Sequence, residues 1–192
     1  MIYDSIKTYR IQLDPEGTMP NIDVGVRVDG RDIPDARVDY VAMIFVDRVV
    51  HTLGERRRCL VPADGFYEWK TLDAKTKQPY AFTLRSGDPF AFGGIWDAWK
   101  EPDGGWLQSF AIITTDPNEL TTTVHNRMPV ILKPSEYDRW LTRDDAEHPP
   151  VDLLRPYDAG EMKGFPVDPR VGNVRNNELS LCEPFECPPN SA

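Results

Sequence analysis

Three cysteines in 192 residues, at positions 59, 182 and 187, share no regular spacing, which argues against a disulfide framework. Histidines stand only at 51, 125 and 148, so a zinc site of the usual ligand spacing is not expected either. Apolar runs are short. The longest, such as Tyr40 to Phe45, fall far below the roughly 20 residues of a membrane helix. The opening MIYDSIKTYR has neither the basic start nor the apolar centre of a secretory signal, so a cytoplasmic protein with no membrane partner is expected. A surplus of positive charge is missing as well. With a formal net charge of −9, broad adhesion to nucleic acid is disfavoured, and only a local basic groove could seat a phosphate backbone. No Walker loop, GxGxxG fingerprint or GxSxG elbow occurs, so nucleotide binding and α/β-hydrolase chemistry lack their marks and no cofactor is expected.

What is present is an ordinary globular composition, 40% hydrophobic and 28% charged, on a chain long enough for one domain with a real core. Eighteen prolines and thirteen glycines spread along it favour turns over long helices. Residues 1–34 hold a strand-like IYDSIKTYRIQL, a turn at DPEGTMPN and a short strand VGVRVDG closed by Asp29-Gly30. From Pro34, apolar residues at Val38, Val41, Ala42, Phe45, Val46, Val49 and Val50 are spaced close to a helical period. A helix ending near Leu53-Gly54 is expected there.

Beyond it the pattern reads as strands. Cys59 to Pro62 and Phe66 to Trp69 flank the turn Ala63-Asp64-Gly65. Tyr80 to Leu84, Phe90 to Trp96 and Leu107 to Thr115 form a meander, with Ser86 to Pro89 and Glu101 to Gly105 as its turns. Gly93-Gly94 inside a strand pattern predicts a bulge or a close backbone approach. Asp116-Pro117 opens a short helix with Asp116 as N-cap, and Val130 to Leu132 is a strand. Glu136 to Leu141 is a second helix and Asp152 to Leu154 a helical turn. Phe165-Pro166-Val167 is an edge strand, because its proline cannot donate to a ladder, and the tail from Cys187 is disordered.

Two segments dominate the reading: RRRCLVPADGFYEWK, residues 56–70, and TTTVHNRMPVIL, residues 121–132. In a strand, Phe66 and Glu68 share one face while Tyr67 and Trp69 share the other. A carboxylate beside a buried aromatic loses hydration, and its pKa rises toward the range useful for proton transfer. Taken singly, Glu68 reads as readily as a solvated strand carboxylate, and His125 as a satisfied structural histidine. Arg127 could simply cover apolar surface with its stem. Trp69, Trp96 and Trp99 suit a core as well as a stacking platform. Cys59 has three arginines before it that could activate its thiol, against a reading as an inert buried one.

Read together and in order, RRRCLVPADGFYEWK, FAFGGIWDAW, FAIITTDPNELTTTVHNRMPVIL and LLRPYDAGEMKGFPVDPRVGNVRNN resemble the SRAP family. These are the SOS-response-associated peptidases that process abasic sites in single-stranded DNA. The resemblance spans roughly residues 35–185, leaving 1–34 as a divergent segment of the same domain and 186–192 as a tail. It implies an α+β fold, a single compact domain of mostly antiparallel β structure in a barrel-like sheet with peripheral short helices. It also implies a groove for single-stranded DNA bearing abasic sites, no metal, and a monomer.

In that family an N-terminal cysteine condenses with the abasic aldehyde to a thiazolidine and is implicated in autoproteolysis. The resemblance places the family's catalytic glutamate on Glu68 and its histidine on His125, with Arg37, Thr114 and Arg127 on the DNA backbone. The family's Asn-Ala-Arg segment appears as Asp35-Ala36-Arg37, which replaces an amide by a carboxylate at a catalytic position. This chain begins Met1-Ile2-Tyr3 where the family has Met-Cys-Gly-Arg, so impaired cross-linking is expected. Two other classes stay open: a non-catalytic single-stranded-DNA-binding relative, and a hydrolase acting on a peptide through the same Glu/His pair.

Overall fold

The computed structural model describes residues 22–23, 26–28, 31–33, 37–38, 41–45, 57–100, 104–142, 148–173, 175–176 and 178–186. Thirteen strands occur among them. Five short ones come first: β1 (Ile22–Asp23), β2 (Val26–Val28), β3 (Arg31–Ile33), β4 (Arg37–Val38) and β5 (Val41–Phe45). The long strands follow: β6 (Arg58–Ala63), β7 (Phe66–Thr71), β8 (Lys77–Leu84), β9 (Phe90–Lys100) and β10 (Trp106–Thr115). β11 (Met128–Pro129), β12 (Ile131–Leu132) and β13 (Met162–Pro166) complete the set, with one α-helix described, α1 (Tyr137–Leu141).

The strands form three sheets. An eight-stranded sheet runs β11-β10-β9-β6-β2-β3, with β12 joined to β9 and β5 to β10. A three-stranded sheet runs β13-β8-β7, and β1 pairs with β4. Nearly all pairing is antiparallel. The expected barrel-like sheet is corrected here: among the described residues the sheets are not closed, and the two larger ones lie face to face as layers. The β6–β7 connection at Asp64-Gly65 passes the chain from one layer to the other. Gly65 suits that corner, since a Cβ there would stand 3.0 Å from the Phe82 carbonyl oxygen.

Alternation explains the layering. Cys59 and Val61 of β6, Phe92 of β9, and Phe110 and Ile112 of β10 point to one face and meet Phe66, Phe82 and Met162 of the smaller sheet. Phe66 stacks on Phe82 at 5.2 Å between centroids and meets Phe92 edge-on at 6.0 Å, both favoured aromatic geometries. The opposite face of the large sheet, with Leu60 and Ile113, is covered by Trp140 of α1 and by Leu153 and Leu154. On the outer face of the small sheet, Tyr67 and Ala81 are covered by Val167, Val171 and Leu181.

The helix expected from Pro34 to Leu53 is overturned where it can be seen. Residues 37–38 and 41–45 are strands, and the stretch 46–53 lies outside the described residues. β5 lies parallel to β10, from Val41 opposite Phe110 to Phe45 opposite Thr114. A continuous apolar run rich in branched and aromatic side chains fits such a strand, and its near-helical spacing is incidental. The Gly93-Gly94 pair takes the second of its two expected forms. The ladder continues through Leu60 opposite Gly93 and Cys59 opposite Gly94 without a bulge. A Cβ at Gly94 would sit 3.0 Å from the Cys59 sulfur and 3.1 Å from the Ala111 carbonyl oxygen.

The short helix expected after Asp116 is a turn followed by a 3-10 segment, Thr121–Thr123. Its organiser is Asn118 rather than Asp116. The buried Asn118 Oδ1 accepts from the backbone N–H of Leu120 and of Thr121 and from the Thr121 hydroxyl, at 2.9–3.1 Å. The same side chain donates to the Tyr157 carbonyl at 2.7 Å. β13 does lie at the edge of its sheet, as its proline requires. Cys187, the tail and the turn at 14–21 lie outside the described residues.

Candidate active site

Strand alternation turns Glu68 to the same side as Phe66, into the space between the two layers. The residue is 7% exposed. Its neighbour across the ladder is Tyr80, and Tyr80, Trp96, Leu120 and Val124 all pack on the margin of this inter-sheet core. Burial pushes the Glu68 carboxyl up to about 7, against a bond from the Trp69 backbone N–H that favours the ionised form.

His125 arrives from the other block by a different route. The 3-10 turn held by Asn118 fixes the backbone, with the N–H groups of Val124 and His125 both donating to the Thr121 carbonyl at 2.9 Å. Val124 anchors the loop in the core, and the next side chain reaches the carboxyl. His125 Nδ1 stands 3.7 Å from Glu68 Oε2 and 3.3 Å from the Arg127 carbonyl oxygen. A carbonyl only accepts, so the Nδ1 atom carries the hydrogen, which leaves Nε2 of the neutral ring as the acceptor. At 3.7 Å the pair is close enough to attract yet too far for a direct hydrogen bond. The acid is covered while the imidazole is 38% exposed, so the pair presents one dry group and one wet group.

The remaining expected residues fall as follows. Arg127 is exposed and tied to His125 through its backbone carbonyl. Thr114 is buried on β10 in register with Pro129 on β11, two residues from Arg127. Arg37 lies on β4, whose backbone runs beside β10. Asp35 and His51 lie outside the described residues. Among the described residues no cluster of three or more His, Cys, Asp or Glu could hold a metal ion.

Other candidates settle into structural roles. Arg58 is buried, donates from Nε to the Trp140 carbonyl at 2.6 Å and to the Thr142 carbonyl, and lies over the Trp140 ring. The Trp140 indole N–H in turn donates to the Cys59 carbonyl at 2.9 Å. Cys59 itself is fully buried and burial pushes its thiol up to about 12, which makes it inert. Cys182 lies on the outer side of the small sheet, 3.1 Å from the Tyr67 hydroxyl. Sequence reasoning missed Asn118 and Tyr80. An Asx turn after Asp-Pro is a readable signal for the first. Tyr80 needed the β7–β8 register, which no local pattern supplies.

The architecture is therefore a layered α+β domain with a covered acid and a half-exposed imidazole at the margin of its inter-sheet core. The sequence matches the family described as SOS response associated peptidase (SRAP) over residues 17–174, and the chain belongs to that family. It is 38% identical over 160 residues to the abasic site processing protein YoqW of Bacillus subtilis, covering 78% of this chain and 71% of that protein. Against the abasic site processing protein HMCES of Mus musculus it is 35% identical over 161 residues, covering 70% of this chain and 45% of that one. A crystal structure of a Bacteroides thetaiotaomicron protein aligns with TM-score 0.69 at 26% identity, covering 75% of this chain and 66% of the other. No described helix is long and apolar enough to cross a membrane.

Proposed function

We propose that this protein binds single-stranded DNA and processes its abasic sites, with Glu68 and His125 as the acid–base pair and Arg37, Thr114 and Arg127 seating the sugar–phosphate strand. One observation carries the reading: a carboxyl held near neutrality by burial, with an imidazole 3.7 Å away on the exposed side. The names of the related proteins supply the substrate class.

The chemistry suits the geometry. An opened abasic sugar offers an aldehyde. When an amine adds to it, a nitrogen–carbon bond forms and the carbonyl electron pair moves to oxygen, which takes a proton from Glu68. The nitrogen releases a proton to the imidazole. The imidazolium then gives its proton to the hydroxyl, which leaves as water while the nitrogen lone pair forms the carbon–nitrogen double bond; the iminium proton passes to the Glu68 carboxylate, and a neutral imine and the starting pair result. Such relays contribute about 10²- to 10⁴-fold in rate. The described cysteines offer no thiol to such an adduct, since Cys59 is buried and inert and Cys182 sits across β7 from Glu68. Thr114 is covered here, so its contact with a phosphate requires the DNA to part the loop at Arg127.

The test is incubation of the protein with abasic single-stranded DNA, followed by a denaturing gel with and without borohydride. A heat-stable shifted band indicates a link that persists without reduction, and a band that needs borohydride indicates a simple imine. Either band, lost in Glu68→Gln, supports the proposal. Binding with no band under any condition indicates a non-catalytic single-stranded-DNA-binding relative. Peptide turnover lost in Glu68→Gln without any band indicates a hydrolase.

A further inference from the structure

Four basic side chains on the described surface are neutralised by an acid. Lys133 meets Glu161 at 2.8 Å, Arg139 meets Asp152 at 2.6 Å, Arg155 meets Glu136 at 2.5 Å and Arg170 meets Asp168 at 2.9 Å. The hairpin joining β7 to β8 is arranged differently. Its segment Lys70 to Lys77, KTLDAKTK, holds three lysines against one acid in a chain whose net charge is −9. None of the three lysines has an ion-pair partner among the described residues. The one acid, Asp73, is exposed but engaged with the loop backbone, accepting the N–H groups of Lys75 and Thr76 at 2.8 and 2.9 Å. These bonds hold its carboxyl below the ordinary range and fix the tip. Leu72 N–H to the Thr76 carbonyl, at 2.9 Å, closes the same loop.

The register decides which lysine faces the site. Glu68 opposes Tyr80, and Lys70 opposes Gln78, so Lys70 shares the Glu68 side, about 7 Å further along β7. Thr71 opposes Lys77, which places Lys77 on the other side, with Trp69. Lys75 lies at the exposed tip. We propose that Lys70 and Lys75 form a phosphate track that extends the DNA groove outward from Glu68 along the β7–β8 hairpin. This inference rests on the proposed function, since it takes the strand to run past Glu68, and it names the surface that grips the flanking backbone. Lysines held in no ion pair have no partner to give up when a phosphate arrives, and a loop already ordered loses little freedom on binding.

The experiment measures binding of oligothymidylate with one central abasic site, across a range of salt, by fluorescence anisotropy of the full chain. Each single-strand phosphate contact contributes about −0.7 to the slope of log K against log salt. Replacing both lysines with glutamine is therefore expected to flatten the slope by about 1.4 and to weaken binding about tenfold near 0.2 M salt. Lys77→Gln is the internal control, with a markedly smaller effect expected from its place on the opposite face. An unchanged slope in the double variant of a protein that still cross-links overturns the track alone. So does a Lys77→Gln effect equal to that of Lys70→Gln. Failure of the parent protein to bind the oligonucleotide at all overturns the functional proposal beneath it.

Discussion

Asp152 and Glu68 are both carboxylates beside a basic side chain, and they are tuned in opposite directions. Asp152 is exposed and takes two bonds of 2.6 Å from the Arg139 guanidinium, chiefly through which its carboxyl is held below the ordinary range. Glu68 is buried, its imidazole stands at 3.7 Å, and burial raises its carboxyl to about 7. Solvent and geometry make the difference. A bidentate partner in water stabilises charge at little cost, whereas a dry carboxyl without a close partner resists ionising. The first arrangement ties the α1 region to the 3-10 turn Val151–Leu153. The second keeps a proton available near neutral pH, which is the property a transfer site requires.

The sharpest way to break this comparison is to remove the proton-bearing oxygen. Glu68→Gln is expected to lower the rate of cross-linking to abasic single-stranded DNA at least about 100-fold, measured by quenched time course on denaturing gels. His125→Ala should cost less, about 10- to 100-fold, because water reaches the half-exposed imidazole position and substitutes in part. If the two act as one relay, the double variant is no slower than the worse single one. Fully multiplicative losses would show that they act separately.

The comparison also predicts stability. The folded pKa of Glu68 lies above its ordinary 4.5, so the folded state holds this proton more tightly than the unfolded chain does. Its contribution is complete below about 4.5, declines as pH rises toward about 7, and is absent above. At about 1.4 kcal/mol per pH unit, the loss is bounded at roughly 3 kcal/mol. Denaturant unfolding of Glu68→Gln should therefore lack this decline, with its gain over the parent largest near pH 8 and smallest near pH 4. A parent and variant with parallel pH profiles would remove the case for a buried, protonated acid.

Much of this was legible from local chemistry. Turn residues such as Asp64-Gly65 and Gly87-Asp88-Pro89 separate runs of alternating or continuous apolar residues, and the strands between them lie where that pattern puts them. The blocks around Glu68 and His125 are long enough for their pairing to be read before any coordinates. What escaped depends on partners distant in sequence. Val41 to Phe45 is a strand only because β10 lies beside it, some 70 residues on, and a short apolar run does not declare its period alone. Whether sheets close is likewise set by pairings such as β6 with β9, not by any one strand. Asp116 looked like the cap because it precedes a proline, but burial favours Asn118, which both donates and accepts. Arg58 reads as one of three arginines able to activate the Cys59 thiol, yet its guanidinium is spent on the Trp140 ring and on the Trp140 and Thr142 carbonyls.

The smallest expected effect tests the other half of the comparison. In Asp152→Asn the Arg139 side chain, 57% exposed, loses its bidentate partner but keeps its water, so no buried charge is stranded. The depressed carboxyl contributes stability above its unfolded pKa that disappears as pH falls through the folded value, so any difference from the parent belongs to neutral pH and not to acid. Salt screens exposed pairs, so what remains should shrink as ionic strength rises. The unfolding midpoint of Asp152→Asn is therefore expected to differ slightly from the parent at low salt and to match it at high salt, with cross-linking unchanged throughout. A large, salt-insensitive loss would mean that the Arg139 pair is shielded from solvent, and the contrast between a wet pair that holds structure and a dry acid that holds a proton would fail at its simpler end.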